Sequence, residues 1–271
     1  MAFAVWFGAE QTDVNKHGED DMRFVLALAT LLIFSKFAAA VSVEDDVQRY
    51  IQIFSGAKHL HSDAADTFSW MGLSDTRLFD IVERRLLEDA DASRDNRDER
   101  NRVARYLRSL GFSGQTKYEP TIRKFLGNAG YDRFARVALQ DLADYNKWNP
   151  IISNRSSFDP KLSDNVNRVA NMLRSDDLLL QRVGAKRVYF DSKDDILLEL
   201  LAQKLRTNYA RTDLNDRERS DSVAWLAKAL GSSKNDKYVD LLQEVSERAD
   251  ARAVRGHAKE ALAKYYGIRS R

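Results

Sequence analysis

The sequence predicts an all-α fold assembled from two copies of one helical module. Three observations carry that prediction: a self-match running through most of the chain, apolar spacing at helical period, and a shortage of turn formers. Only 12 Gly and 3 Pro occur in 271 residues, whereas a β-sandwich needs a turn every ~8–12 residues and draws on both. Apolar residues make up 44%, enough for a core in a chain of this length. The balance of 43 basic against 41 acidic residues argues against a polybasic tail or an acidic disordered chain. Zero Cys removes disulfides, thiolate zinc sites, iron–sulfur clusters and cysteine nucleophiles together.

Residues 1–21 carry Glu10, Asp13, Glu19, Asp20 and Asp21, a poor start for export, and are read as an upstream extension with translation beginning at Met22. Residues 22–40 then have the three-part layout of a signal peptide. Met22-Arg23 gives a positive start, Phe24 to Phe34 an apolar run, and Ala38 and Ala40 the small positions before a cut. Eleven helical residues span roughly 16 Å, against an apolar bilayer interior of about 30 Å. Cleavage after Ala40 is the expectation; an uncleaved anchor and a buried helix are the alternatives. Export without cysteine points to a bacterial periplasm.

Self-comparison then finds an internal repeat. At an offset of 119, Asp45-Asp46-Val47-Gln48-Arg49 falls on Asp164-Asn165-Val166-Asn167-Arg168, and Leu78 to Val82 on Leu197 to Leu201. The register becomes 120 near position 90. Val103-Ala104, Leu110-Gly111, Lys117-Tyr118, Ala138 and Leu142-Ala143 then match Val223-Ala224, Leu230-Gly231, Lys237-Tyr238, Ala258 and Leu262-Ala263. The expected organisation is module 1 over 43–149, a linker over 150–161, and module 2 over 162–267.

Within each copy the spacing is helical. Val223, Leu226, Ala227 and Leu230 stand at i, i+3, i+4 and i+7, as do Val103, Tyr106, Leu107 and Leu110. Gly111 and Gly231 follow the last apolar residue, as left-handed caps would; Thr116 and Glu119 have capping-box spacing. About six helices per copy make three hairpins of about 40 residues each. The segment Asp250 to Leu262, with its Asp, Val254-Arg255 and small residues, resembles the second helix of a HEAT or HEAT-like repeat of the phycobilisome-lyase type. The likeness is poorest at 57–72 and 176–190. It implies an α-solenoid: a right-handed stack of HEAT-like hairpins from a tandem ~120-residue module, with second helices lining the inner face. A compact helical bundle is the competing architecture.

Candidate chemistry is sparse. No phosphate-binding loop, dinucleotide fingerprint, zinc-protease helix or nucleophile elbow occurs. His59 and His61 with Asp66 form the one weak metal candidate, and an inter-helix turn capped by Asp63 is the preferred reading. Asp45-Asp46, Asp176-Asp177 and Asp194-Asp195 fit helix starts. On the helix carrying Val103 to Leu110, the side away from the core shows Asn101, Arg105 and Arg108. The 131–147 helix shows Arg136, Gln140 and Lys147. These predict a polar, basic stripe on the concave wall. Trp225 stands at the Arg105 position of the second copy and is read either as a binding aromatic or as packing.

An Arg-and-Trp groove suits a protein or peptide partner. The leading expectation is therefore a non-enzymatic periplasmic scaffold that binds through shape, without a cofactor and without stable membrane insertion after signal cleavage. The alternatives are a nucleic-acid-binding HEAT-like protein and a repeat-type lyase with no simple motif. Residues 43–149 hold 17 basic and 18 acidic groups and residues 151–271 hold 23 and 18, totals that argue against a DNA partner.

Overall fold

The computed structural model describes residues 42–92, 96–191, 193–211 and 216–268; the expected upstream extension and signal peptide lie outside them. The described residues contain α-helices and short 3-10 turns, with no strand. In the first module these are α1 Val43–Ser55, α2 His61–Met71, α3 Thr76–Ala92, α4 Arg97–Phe112, α5 Glu119–Arg123 and α6 Asp132–Ile152. The second has α7 Asp164–Arg174, α8 Leu178–Phe190, α9 Asp195–Asn208, α10 Arg217–Gly231, α11 Val239–Arg248 and α12 Arg252–Tyr266. Among the described residues no helix is long and apolar enough to cross a membrane.

Local chemistry starts these helices where the acid pairs suggested. Ser42 and Asp45 close a capping box on α1, Asp177 accepts from the Leu179 and Leu180 amides of α8, and Asp194 caps α9. Consecutive helices pair as six hairpins. The second helices pack side by side, α2 on α4 on α6 and α8 on α10 on α12. First helices do the same, α1 on α3 and α7 on α9. The architecture is thus all-α and solenoid-like.

Matching positions make matching contacts in the two modules. Lys117 Nζ and Tyr118 Oη donate to Asp80 at 2.6 and 2.8 Å; Lys237 and Tyr238 do the same to Glu199 at 2.5 and 2.6 Å. These recurrences support the duplication, which we propose as the origin of the modules.

Gly111 and Gly231 recur too, but not as left-handed caps. Both lie inside their helices and are buried. A Cβ on Gly111 would stand 2.7 Å from the Ala138 carbonyl oxygen, and one on Gly231 would stand 2.6 Å from Ala261 Cβ. They let the second helices touch. The left-handed residue comes three positions later, at Gly114 (φ 65°) and Lys234 (φ 57°). Nor does Thr116 cap a helix: it opens a 3-10 turn, and α5 has no side-chain cap. The linker also starts later than expected, because α6 runs through Pro150 to Ile152. Pro150 removes one amide from the last turn, while Asn149 Nδ2 ties that turn to the Leu73, Phe112 and Ser113 carbonyls at 3.2, 3.0 and 3.1 Å.

The modules meet where α7 and α8 seat against α2 and α6. Met172 and Leu180 of the second module join the apolar core of the first. Asp46 on α1 is 3% exposed and pairs with Arg168 on α7, also 3% exposed, with Arg155 at 3.4 Å and with Arg49 at 3.0 Å. The Arg187 guanidinium lies 3.7 Å from the Trp70 ring centroid, and Trp148 Nε1 donates to Asp177 at 2.8 Å.

Three outcomes follow for stability, all read by denaturant unfolding. Asp46→Ala strands a buried guanidinium and is expected to cost about 3–5 kcal/mol, whereas replacing Asp46 and Arg168 together by Leu and Met costs far less. Lys234→Gly relieves a left-handed side chain and is expected to stabilise by about 1 kcal/mol. Gly111→Ala is expected to destabilise by about 1–3 kcal/mol.

Candidate functional site

Second helices from both modules enclose the main cleft, about 710 Å³ in volume. Helix α2 contributes Trp70, α4 Arg108 and Phe112, α6 Asp141, Asp144 and Trp148, α8 Arg182, Lys186, Arg187 and Phe190, and α10 Glu218. That volume lies in the range that holds a small organic molecule, and aromatic walls with a few converging polar groups are what such sites share.

Asp141 is the chemical centre. It faces α4 one turn along from Ala138, where the missing side chain of Gly111 brings the helices together; a Cβ there would also stand 3.0 Å from Asp141 Cβ. This close approach leaves the carboxyl part-buried. Arg108 Nε and Nη2 both bind its Oδ2, at 3.0 and 2.9 Å, and Oδ1 has no hydrogen bond among the described residues. Burial outweighs the arginine and pushes the Asp141 carboxyl up to about 6. Nearby Asp144 is also raised, by burial first and then by Asp177. Facing them, Arg182 reaches Asp221 and Glu218 at 3.3 and 3.4 Å. Burial, then Arg182, pulls the Lys186 ammonium below its ordinary value.

The predicted basic stripe is only partly assembled. Arg108 and Gln140 line the main cleft; Asn101 and Arg105 line an adjoining hollow of about 450 Å³ that shares Asp66, Ser69, Arg108 and Phe112. Its charge is largely cancelled, because Arg105 pairs with Asp66 at 2.9 Å and Arg108 with Asp141. Arg136 is exposed and paired with Asp132 of its own helix at 2.8 Å, and Lys147 is exposed outside both hollows. Trp225 is half-buried against Tyr189, with ring centroids 5.7 Å apart.

The metal candidates do not converge. His61 is buried with Nδ1 2.6 Å from Tyr106 Oη, His59 is exposed on a 3-10 turn, and Asp66 is taken by Arg105. No group of three or more His, Cys, Asp or Glu that could hold a metal ion occurs among the described residues. Asp63 lies in the first turn of α2 instead of capping it. Sequence reasoning missed Asp141, Asp144, Trp70, Arg182, Lys186, Arg187 and Phe190. One clue was present: Asp141 stands where the second copy has Ala261, a carboxylate at a position the packing reserves for a small residue.

No family model matches the chain, and no curated protein matches it. Among solved structures it is similar to human deoxyhypusine hydroxylase in complex with glycerol, at 15% identity. The match covers 82% of this chain and 85% of that one, with a TM-score of 0.36. So slight a likeness assigns no activity here. It does correct the expectation of a non-enzymatic periplasmic scaffold. The matched protein is by its name an enzyme, and the scaffold role is unsupported.

The displaced titration of Asp141 has a measurable sign. The folded chain holds this proton more tightly than an unfolded carboxyl at 3.8 does, so its contribution to stability is full below that value and is lost as pH rises through about 6. Relative to Asp141→Asn, the native protein is expected to lose about 3 kcal/mol of unfolding free energy between about pH 4 and about pH 8. Urea unfolding of both proteins at the two pH values checks it.

Proposed function

We propose that the cleft between the modules is a small-molecule active site in which Asp141 is the general acid–base group. The observation that carries this reading is a part-buried carboxyl raised to about 6, set in a cleft of about 710 Å³ among aromatic walls. A group titrating there is substantially charged at neutral pH and still a good proton donor just below it, which suits it to move a proton either way. Arg108 would hold the carboxylate by Oδ2 and leave Oδ1 for the ligand. Trp70, Phe112, Trp148 and Phe190 would supply apolar contact, and the cations of α8 would receive negative charge on the bound molecule.

A thermal-shift screen of small organic compounds tests this at pH values on either side of 6. A ligand at a hundredfold its Kd raises unfolding free energy by about 2.7 kcal/mol. Compounds are expected whose stabilisation changes steeply around pH 6 in the native protein, with that pH dependence lost in Asp141→Asn. The reading fails if no compound stabilises the protein, or if every stabiliser acts on Asp141→Asn with the same pH profile.

A further inference from the structure

Lys186 and Phe190, which line the cleft from α8, also belong to an aromatic and basic cluster of the second module. Tyr189, Phe190 and Trp225 form one cluster, with centroids 4.9 Å apart for Tyr189 and Phe190 and 5.7 Å apart for Tyr189 and Trp225. Phe190 and Trp225 stand 6.4 Å apart. Phe190 is 70% exposed, the most open of the large apolar side chains among the described residues. Two ammonium groups flank the Trp225 ring, Lys186 Nζ at 5.0 Å and Lys228 Nζ at 4.6 Å, and Lys228 also lies 5.3 Å from Tyr189. A third, Lys264, stands 5.1 Å from the ring of Tyr265, whose hydroxyl is 3.1 Å from that of Tyr189.

None of these three lysines forms an ion pair with a carboxylate among the described residues. The first module shows what is missing. At the register of the repeat, Trp225 and Lys228 correspond to Arg105 and Arg108, and those two arginines are neutralised by Asp66 and Asp141. The positions of Asp66 and Asp141 are Ala185 and Ala261 in the second module. At the second position the cation is retained, as Lys228, while its counter-charge is absent, and Lys186 adds an ammonium where the first module has Thr67. Gathering like charges around a half-buried ring raises their energy unless an anion joins them. An exposed ring such as Phe190 accepts a planar group by stacking.

We propose that this face is a subsite for an anionic aromatic group, a ring carrying a phosphate or carboxylate. The ring rests on Trp225 and Phe190, and the anion lies between Lys186 and Lys228. Lys186 and Phe190 also line the main cleft, so the proposal rests on the small-molecule reading above and specifies what part of that molecule lies on the second module. An anionic ring satisfies both features of the face at once. A neutral ring leaves the ammonium groups uncompensated, and a bare anion leaves the exposed phenyl ring in water.

Calorimetric titration of the full chain with 1-naphthyl phosphate tests it, beside 1-naphthol and inorganic phosphate as the two halves of the probe. The native protein is expected to bind naphthyl phosphate about tenfold or more tightly than either half, with affinity falling as salt is added. The double variant K186M/K228M keeps the aliphatic stems over Trp225 and is expected to lose about tenfold in affinity and most of the salt dependence. Trp225→Leu is expected to weaken naphthyl phosphate and naphthol alike and to leave inorganic phosphate unchanged. Naphthyl phosphate binding no better than naphthol, or equal affinity in K186M/K228M, overturns the subsite. Should the subsite fail while Asp141-dependent ligands are found, the acid–base cleft stands without it. Lysine-dependent probe binding with no such ligand leaves the subsite standing and removes the acid–base role.

Discussion

The cleft depends on how α7 and α8 are seated, and the buried carboxylate of Asp46 fixes that seat. One acidic side chain, 3% exposed, receives guanidinium groups from Arg49 on its own helix, from Arg155 in the connection and from Arg168 on α7. Burying such a cluster costs desolvation that its Coulomb energy only partly returns, so the net gain in stability is small. Its effect is on geometry: any other docking of α7 leaves an unpaired charge out of water. Arg187 over Trp70 and Trp148 on the Asp177 cap set the rest of the contact. The residues that position α8 are therefore neighbours of those that face the cleft.

A second constraint acts between helices of one module. Gly111 and Gly231 remove a side chain where α4 meets α6 and where α10 meets α12. At that crossing the second module has Ala261, which the close approach accommodates without chemical consequence. The first has Asp141, and the same closeness that packs an alanine drives a carboxyl up to about 6. Packing designed by one repeat becomes electrostatics in the other.

Much of this was legible in sequence where a helix buries only one side. The stripes Val103 to Leu110 and Val223 to Leu230 gave α4 and α10 because their outer faces are polar. The stretches 57–72 and 176–190 resembled a repeat least, and they are α2 and α8. These helices bury residues against their own module and against the other, so their apolar positions do not fall on one stripe. Leu180 enters the first core while Val188 enters the second. Two of the helices that line the cleft were therefore the least readable. The charge of the basic stripe was unreadable for a related reason: periodicity placed Arg105 and Arg108 on the inner side, but their neutralising acids come from α2 and α6, and such pairings are not written in any one helix. Glycine was misread at Gly111 because a helix-terminal glycine is commonly a left-handed cap, whereas here inter-helix contact decides.

Divergence between the copies is where chemistry enters. A symmetric pair of modules would line the cleft with like charges on both sides, or with none. Here the first module keeps acids beside its arginines and ends with a nearly closed account of charge, leaving one perturbed carboxyl. The second replaces those acids with Ala185 and Ala261 and keeps its lysines around Trp225. The two modules thus differ in charge around the cleft, and in the proposed reading a molecule spanning them meets a proton-exchanging group at one end and the lysines at the other. Orientation of that molecule follows from the asymmetry alone, because reversing it would set an anion against Asp141 and Asp144 and leave Lys186 and Lys228 unmet.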